Sequence, residues 1–411
     1  MSSEDFYIAL TSKNIQKNYL ELKDYITIDK KIADKFLKRS KLHRDDVILS
    51  YTGEYRRALK LYEDSYQLGP NVCRITPNKN CSSNSAVLSV FLNSSVGQSI
   101  LNKEKTLSAQ PTVAMSRIRK IPFPKFSDNF QKIIENIINK QYEWNKESIE
   151  LYEKVKHEFD DSIIYNTNYQ KQINYNIKSL EESLKKTKRL DAEYYQAKYD
   201  NLYNALGKIK TKKLKEIVIK KKSIEPGTEF YKNNGIPFVR VSNLFEDKIT
   251  ETNIFLDREE IKDIEQLFPK KDTILFSKDG SIGIAYKLEK DLEIVTSSAI
   301  LHLNIKNKCE VLPDYLALVL NSEIVKLQAE RDASGAIIQH WKPSEIDEVI
   351  VPIFDFSIQE KIANKANKSF ELKRKAKQFL EIAQIAIEIA IKENEEEAIK
   401  YIKGSCYNEY I

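Results

Sequence analysis

Two stretches of this sequence repeat one another. DDVILSYTG, from Asp45 to Gly53, and KDTILFSKDG, from Lys271 to Gly280, each run from an acidic residue through an apolar segment to a serine and a polar turn with glycine. With Asp46 set opposite Asp272 the match extends outward. YIALTSKNI (Tyr7 to Ile15) faces FVRVSNLFE (Phe238 to Glu246), and YITIDKK faces NIFLDRE. Farther along, VLSVFLNSSVGQSIL faces YLALVLNSEIVKLQA, and IPFPKFSDNFQKI faces VPIFDFSIQEKI. Order, pattern and an offset of roughly 226–231 residues are kept together, as two copies of one supersecondary unit require. A chain of 411 residues organised in this way has two cores rather than one.

Each copy reads alike. Alternating apolar residues predict strands at Tyr7–Leu10, Val47–Ser50 and Val72–Thr76 in copy one, and at Phe238–Val241, Thr273–Phe276 and Ile294–Ile305 in copy two. An amphipathic helix surrounds a Leu-Asn-Ser tripeptide in each (Leu92–Ser94, Leu320–Ser322), followed by a polar loop, a strand ending in proline and a long helical run. In the first run Phe130, Ile134, Ile137, Trp144, Leu151 and Val155 share a stripe; in the second Ile362, Ala366, Ser369, Leu380, Ala383 and Ile387 do. The opposite faces are rich in Lys and Glu, and the alanines of EIAQIAIEIAIKE permit close approach, so a paired helical rod is predicted. A third helical stretch is expected over Tyr175–Leu206. The expected fold is α+β: two similar α/β globules separated by long antiparallel coiled-coil helices. The boundaries expected are 1–126 for the first globule, 127–206 for a helical spacer, 207–356 for the second globule and 357–403 for a C-terminal spacer helix.

Composition removes several classes of function. Hydrophobic residues make up 41% of the chain, enough for folded cores, and no apolar run of about 18 residues offers a membrane span. The N-terminal MSSEDFYIAL has no signal-peptide pattern. Cys73, Cys81, Cys309 and Cys406 form no CxxC pair and have no histidine beside them, which points to incidental thiols in a reducing cytoplasm. A net charge of +6, from 66 basic and 60 acidic residues, is compatible with nucleic acid without demanding it. There is no Asn-Pro-Pro-Tyr or Asp-Pro-Pro-Tyr tetrapeptide, no GxxxxGK[ST] loop and no GxGxxG. His43, His157, His302 and His340 are scattered singly, so no base or nucleophile is assigned. A binding chain that delegates its chemistry is expected, with no cofactor or metal of its own.

The succession GIPFVRVSNL, ILFSKDGSIG, TSSAILHL, YLALVLNSE and GAIIQHWKPSEIDEVIVPIFDFSIQEKIA resembles the target-recognition domain of specificity subunits of type I restriction-modification enzymes. RLDAEYYQAKYD looks like a segment that often precedes such a domain, and copy one matches more loosely. The resemblance implies two target-recognition domains, each reading one half of a split double-stranded DNA sequence in the major groove, with helices fixing their separation. It also implies docking to methyltransferase subunits and, through them, to a restriction-translocase subunit. Adenine methylation, restriction, S-adenosylmethionine and ATP would belong to those partners, and no membrane is involved. Copy two is preceded by helix and strand between Asp191 and Gly235 that have no counterpart ahead of FYIAL, so that counterpart is expected to be missing or to lie in a partner. The contrasting readings are a coiled-coil scaffold with two protein-binding heads, or a recognition subunit of another methyltransferase system.

DNA readers need forked donors and acceptors on exposed loops and cations for phosphate. Copy one offers Tyr51, Tyr55, Arg56 and Arg57 after its Val47–Ser50 strand, and Gln110 and Arg117 in a second loop. Copy two offers Lys278 and Ser281 in the equivalent turn, Gln339, His340 and Lys342 in the second loop, and Arg240 and Asn243 at a strand end. Unlike side chains in a matched frame suit two readers of different half-sites; ordinary solvated turns are the alternative. The basic run KIKTKKLKEIVIKKKS (Lys208 to Ser223) either tracks phosphates or is a solvated linker.

Overall fold

The computed structural model describes residues 5–22, 24–52, 56–77, 84–106, 111–164, 175–335 and 339–405. Copy one holds β1 (Phe6–Leu10), β2 (Ile15–Gln16), β3 (Tyr19–Leu20), β4 (Ile26–Asp29), α1 (Lys30–Phe36), β5 (Val47–Ser50), β6 (Ala58–Lys60), β7 (Tyr66–Leu68) and β8 (Val72–Ile75). It continues with α2 (Ser85–Asn93), α3 (Ser95–Lys103) and α4 (Met115–Ile118), and leads into the long helix α5 (Asp128–Ile164). Next come α6 (Ala197–Leu206), β9 (Thr211–Lys213), α7 (Leu214–Ile217) and β10 (Val218–Lys222). Copy two follows with β11 (Ile236–Val239), β12 (Phe255–Leu256), β13 (Ile274–Ser277), β14 (Ala285–Lys287), β15 (Val295–Thr296) and β16 (Ile300–Ile305). It closes with α8 (Pro313–Leu320), α9 (Glu323–Asp332), α10 (Pro343–Ile346), β17 (Ile350–Pro352), the long helix α11 (Phe356–Lys392) and α12 (Glu395–Ser405).

The chain divides into two compact units, Met1–Ser148 with Glu371–Ile411, and Ile149–Phe370. In the first, β1 lies between β4 and a parallel β7, and β5 lies between antiparallel β6 and β8. In the second, β11 lies between β12 and a parallel β15, and β13 lies between β14 and β16, with β10 added outside β16. Each unit therefore carries the same pair of small sheets, which is the repeat realised in three dimensions.

The backbone also corrects the register of that repeat. Asp45 and Asp272 are both left-handed, with φ of 69° and 66°. Asp45 N donates to Leu61 O and Asp272 N to Leu288 O, each at 2.9 Å. Asp45, not Asp46, is thus the counterpart of Asp272, and the acidic doublet had drawn the alignment one residue out. A slip of one residue in a strand exchanges its two faces, so the correction decides which side chains are comparable. In the corrected register Val47–Ser50 faces Ile274–Ser277, and both strands are buried at every residue.

The Leu-Asn-Ser tripeptide owes its recurrence to a buried clamp. Asn93 Nδ2 donates to Ala58 O at 2.7 Å and Asn93 Oδ1 accepts from Ala58 N at 2.9 Å. Asn321 makes the same two bonds to Ala285 at the same two distances. Each amide completes both backbone groups of a strand residue from a helix, a pairing that a buried backbone group needs. Gln131 and Gln359 likewise bind Phe126 O and Phe354 O at the starts of the long helices.

Several predicted elements come out differently. The helix expected around each Leu-Asn-Ser tripeptide is two helices that break there, α2 with α3 and α8 with α9, and the proline-ended strand expected ahead of the long helix forms in copy two as β17 but not at 121–127 of copy one. The single strand expected over Ile294–Ile305 is two, β15 and β16, which join different sheets. The helix expected over Tyr175–Leu206 reduces to α6, preceded by a short π-helical turn at Glu181–Thr187 and a 3-10 turn at Ala192–Tyr195. Lys188 is left-handed (φ 57°), and Tyr175, Ile177, Leu180 and Leu190 are exposed, so no apolar stripe holds those residues in one helix.

The long helices pack as the stripes require. In the first unit Trp144 of α5 meets Phe379 of α11 at 4.6 Å between ring centroids, and Ser127 N donates to Glu395 at 2.8 Å, an antiparallel arrangement. In the second unit Tyr152 meets Phe370 at 5.0 Å and Lys365 pairs with Glu158 at 2.7 Å, again antiparallel. Each unit uses a long helix to close a short one. Glu388 of α11 accepts from Ser95 N at the start of α3 at 2.7 Å, and Asp160 of α5 accepts from Glu323 N at the start of α9 at 3.2 Å.

Candidate nucleic-acid interface

In copy two the turn after β13 folds back on its own serine. Ser277 Oγ accepts from Ile284 N at 2.8 Å and donates to Ser281 O at 2.6 Å. Gly280 and Gly283 take φ of 74° and 81°, a region closed to most side chains, so the turn depends on both glycines. The second loop docks against it: Trp341 N donates to Lys278 O at 2.8 Å and Gly280 N to Gln339 O at 2.9 Å. Trp341 anchors the junction, 1% exposed and packed against Phe276. The structure thus brings together the two loops that the sequence reading kept apart.

Asp279 organises the charges there. Its carboxylate contacts Lys278 Nζ on one side and His340 Nδ1, at 2.9 Å, on the other. Partial burial works against ionisation of Asp279, but Lys278 and His340 outweigh it and hold the carboxyl below its usual range. Lys278 is buried with its ammonium committed to this pair, whereas Ser281, Gln339, His340 and Lys342 are exposed at the rim. The rim offers an amide fork, an imidazole, a hydroxyl and an ammonium, which is the vocabulary of base-edge and phosphate contacts.

Copy one builds the same junction with other residues. Val113 N donates to Tyr51 O at 3.0 Å, matching Trp341 and Lys278, and Thr52 bridges Thr112 where Asp279 bridges His340. Ser50 Oγ accepts from Arg57 N at 2.9 Å, as Ser277 accepts from Ile284. The predicted arginine pair splits. Arg56 is 2% exposed and donates to Asn102 at 2.8 Å, so as placed it does not reach outward; burial lowers its pKa. Arg57 stays at the half-exposed surface and contacts Gln16, beside half-exposed Tyr51. Arg117 is exposed on α4 and pairs with Glu104 at 3.3 Å. Tyr55 and Gln110 lie outside the described residues.

Three further candidates stand apart from these junctions. Arg240 is exposed at the end of β11. Asn243 spends its amide on a turn, accepting from Arg240 N at 3.2 Å and donating to Glu251 O at 3.0 Å, as Asn14 does in copy one with Thr11 N and Glu21 O. Four of the eight lysines of the basic run at 208–223 are neutralised within their own unit. Lys212 pairs with Glu310, Lys213 and Lys215 with Glu348, and Lys220 with Asp347, at 2.5 to 2.7 Å. Asp279 is not among the candidates that the sequence offers; the adjacent opposite charge of Lys278 is the signal that could have found it. Among the described residues no group of acidic, histidine or cysteine side chains could hold a metal ion.

Comparison with known families gives one match: residues 207–381 fit the family described as type I restriction modification DNA specificity domain. No curated protein matches the sequence. Among solved structures, one described under complex assembly and conformational transition of the type I R-M system is 13% identical, covering 98% of this chain and 92% of that one, with a TM-score of 0.35. The type I restriction-modification S subunit from M. genitalium is 14% identical, covering 97% and 93%, with a TM-score of 0.37. The HsdS subunit from Thermoanaerobacter tengcongensis is 12% identical, covering 95% and 91%, with a TM-score of 0.32.

Proposed function

We infer, for a chain whose residues 207–381 match the family described as type I restriction modification DNA specificity domain, that both of its copies read DNA. The chain is the DNA sequence-specificity subunit of such a system. Our reading is that it recognises a bipartite duplex, one half per globule, and carries out no chemical step itself. Methyl transfer to adenine, ATP-driven translocation and cleavage fall to modification and restriction subunits with which it assembles in the cytoplasm. No helix among the described residues is long and apolar enough to cross a membrane.

The observation that carries the two-reader reading is the repeated junction. The same backbone bonds join the same two loops in both copies, while the rim side chains differ: Tyr51, Thr52 and Arg57 in one, Ser281, Gln339, His340 and Lys342 in the other. A conserved frame with exchanged donors is what reading two different half-sites demands.

The experiment is to map methylated positions in a host carrying this chain with its partner subunits. A split sequence is expected. Gln339→Ala with Lys342→Ala is expected to relax one half only, and Arg57→Ala the other, each lost base contact costing about 1–3 kcal/mol of discrimination. Equal loss at both halves from either change would refute the two-reader assignment.

A further inference from the structure

The backbone around His340 is pinned at each residue. His340 N donates to Ser334 O at 2.7 Å and His340 O accepts from Ser334 N at 3.0 Å, while Gln339 and Trp341 on either side bond to Gly280 and Lys278. The side chain stands out of this frame, 59% exposed, with Nδ1 at 2.9 Å from Asp279 Oδ1. The other carboxylate oxygen, Oδ2, is held by the buried ammonium of Lys278. The carboxyl cannot turn away without leaving that ammonium buried and unpaired.

This contact settles which ring nitrogen carries hydrogen. The Asp279 carboxyl is held below its usual range, so at neutral pH it is ionised and can only accept. The proton between the two groups therefore sits on Nδ1. In a neutral imidazole only one nitrogen carries hydrogen, so Nε2, the nitrogen that Asp279 does not touch, presents a lone pair. A free imidazole offers either polarity; this one offers an acceptor from a fixed place.

Resting on the reading that this rim faces the duplex, we propose that His340 recognises an exocyclic amino group in the major groove, N6 of adenine or N4 of cytosine, and that Asp279 is its positioning residue. Those amino groups are the donors of the base edges, whereas guanine O6 and N7 and thymine O4 are acceptors that a lone pair repels. The Gln339 amide and the Ser281 hydroxyl can give or take a hydrogen bond and Lys342 only gives, so none of them enforces this choice. In the first unit the bridge between Thr52 and Thr112 takes the same place, and Thr112 Oγ1 lies 3.3 Å from Thr106 Oγ1. A hydroxyl turns to suit either polarity, so the first half-site carries no such demand and serves as an internal control.

The positioning role is measured without DNA. Nitrogen NMR of the full chain with isotope-labelled histidine, at about pH 8, is expected to show hydrogen on His340 Nδ1 and none on Nε2. Asp279→Ala should move the ring toward the Nε2–H form that free histidine prefers, with circular dichroism unchanged. Hydrogen on Nε2 in the unchanged chain, or a tautomer that Asp279→Ala leaves as it was, overturns the proposal.

The reading role is measured on the split sequence methylated by the chain with its partner subunits. His340→Ala should lose preference at one base pair of one half, which identifies the pair. Duplexes are then made with the amino group of that pair deleted (purine for adenine, pyrimidinone for cytosine) or with its purine N7 replaced by carbon. Amino deletion is expected to weaken binding by the unchanged chain about tenfold and binding by His340→Ala not at all, while loss of N7 affects neither. A penalty from loss of N7 instead, or the same amino-deletion penalty in both proteins, overturns the proposal. So does a His340→Ala chain that keeps every base preference, a result that leaves the two-reader assignment standing. A complex that methylates no split sequence overturns that assignment and this proposal together, whichever tautomer the ring holds.

Discussion

Asn93 and Asn321 stand in tripeptides that the sequence displays twice, yet nothing in the sequence says what the amides do. Their partners, Ala58 and Ala285, are distant in the chain and chemically silent, so the clamp exists only once a helix and a strand meet. Asn321→Ala leaves a backbone N–H and a carbonyl buried without partners and should cost about 2–4 kcal/mol, read as a lower urea midpoint with the helix content of the native state unchanged. His302 was equally illegible, one of four scattered histidines. It is buried on β16 beside Thr296 Oγ1 at 2.8 Å, and burial, followed by the charge of Lys221, depresses its pKa to about 4. The unfolded chain takes up a proton near pH 6.5 that the folded chain refuses until about pH 4. This group therefore leaves stability whole above pH 6.5 and removes it progressively as pH falls toward 4, by roughly 3 kcal/mol in total. His302→Leu should lose that acid limb, so denaturation midpoints of variant and parent should converge or cross between pH 7 and pH 4.5. A difference independent of pH would show that His302 is not held neutral.

At the scale of elements, periodicity carried most of the information. The stripes of α5 and α11 are buried as read, from Phe130 and Ile134 to Ala383 and Ile387, because a helix that buries one face writes its period directly into the sequence. Short strands wrote less. β6, β7 and β14 have three residues each, too few to show alternation, and the merged reading of β15 and β16 followed from apolar residues on both sides of a tight turn. The caps supplied by the long helices were invisible for another reason: Glu388 and Asp160 look like ordinary members of a charged face. Burial raises Asp160 to a pKa of about 6, with the Glu323 N–H bond working against that rise, so this cap weakens below neutral pH. Glu388→Ala should cost about 0.5–2 kcal/mol, the usual worth of an N-cap, and should raise hydrogen exchange in α3 first. Equal exchange across α3 in parent and variant would assign Glu388 no capping role.

For the whole molecule, the repeat made the two-part organisation legible, while the pairing of loops into a rim was not, since Lys278 and Trp341 are sixty-odd residues apart in the chain. The same repeat turns one helix length into a prediction. α5 continues through Ser148 and α11 through Phe370, the residues at which the compact units divide. Ser148 is 2% exposed, so added residues there must continue the buried stripe. Four residues inserted after Ser148 lengthen a helix by about 6 Å and turn it through little more than one full revolution, which keeps the stripe nearly in phase. Matched by four residues after Phe370, the pair should still pack. If helical length sets the spacing of the two half-sites, about 6 Å at roughly 3.4 Å per base pair amounts to about two further base pairs of gap. Sequencing of methylated sites in a host carrying the doubly extended chain should therefore show both half-sites unchanged and the gap longer by about two base pairs. Methylation that persists at the original gap would mean that the helices hold each unit together without measuring the DNA between the half-sites.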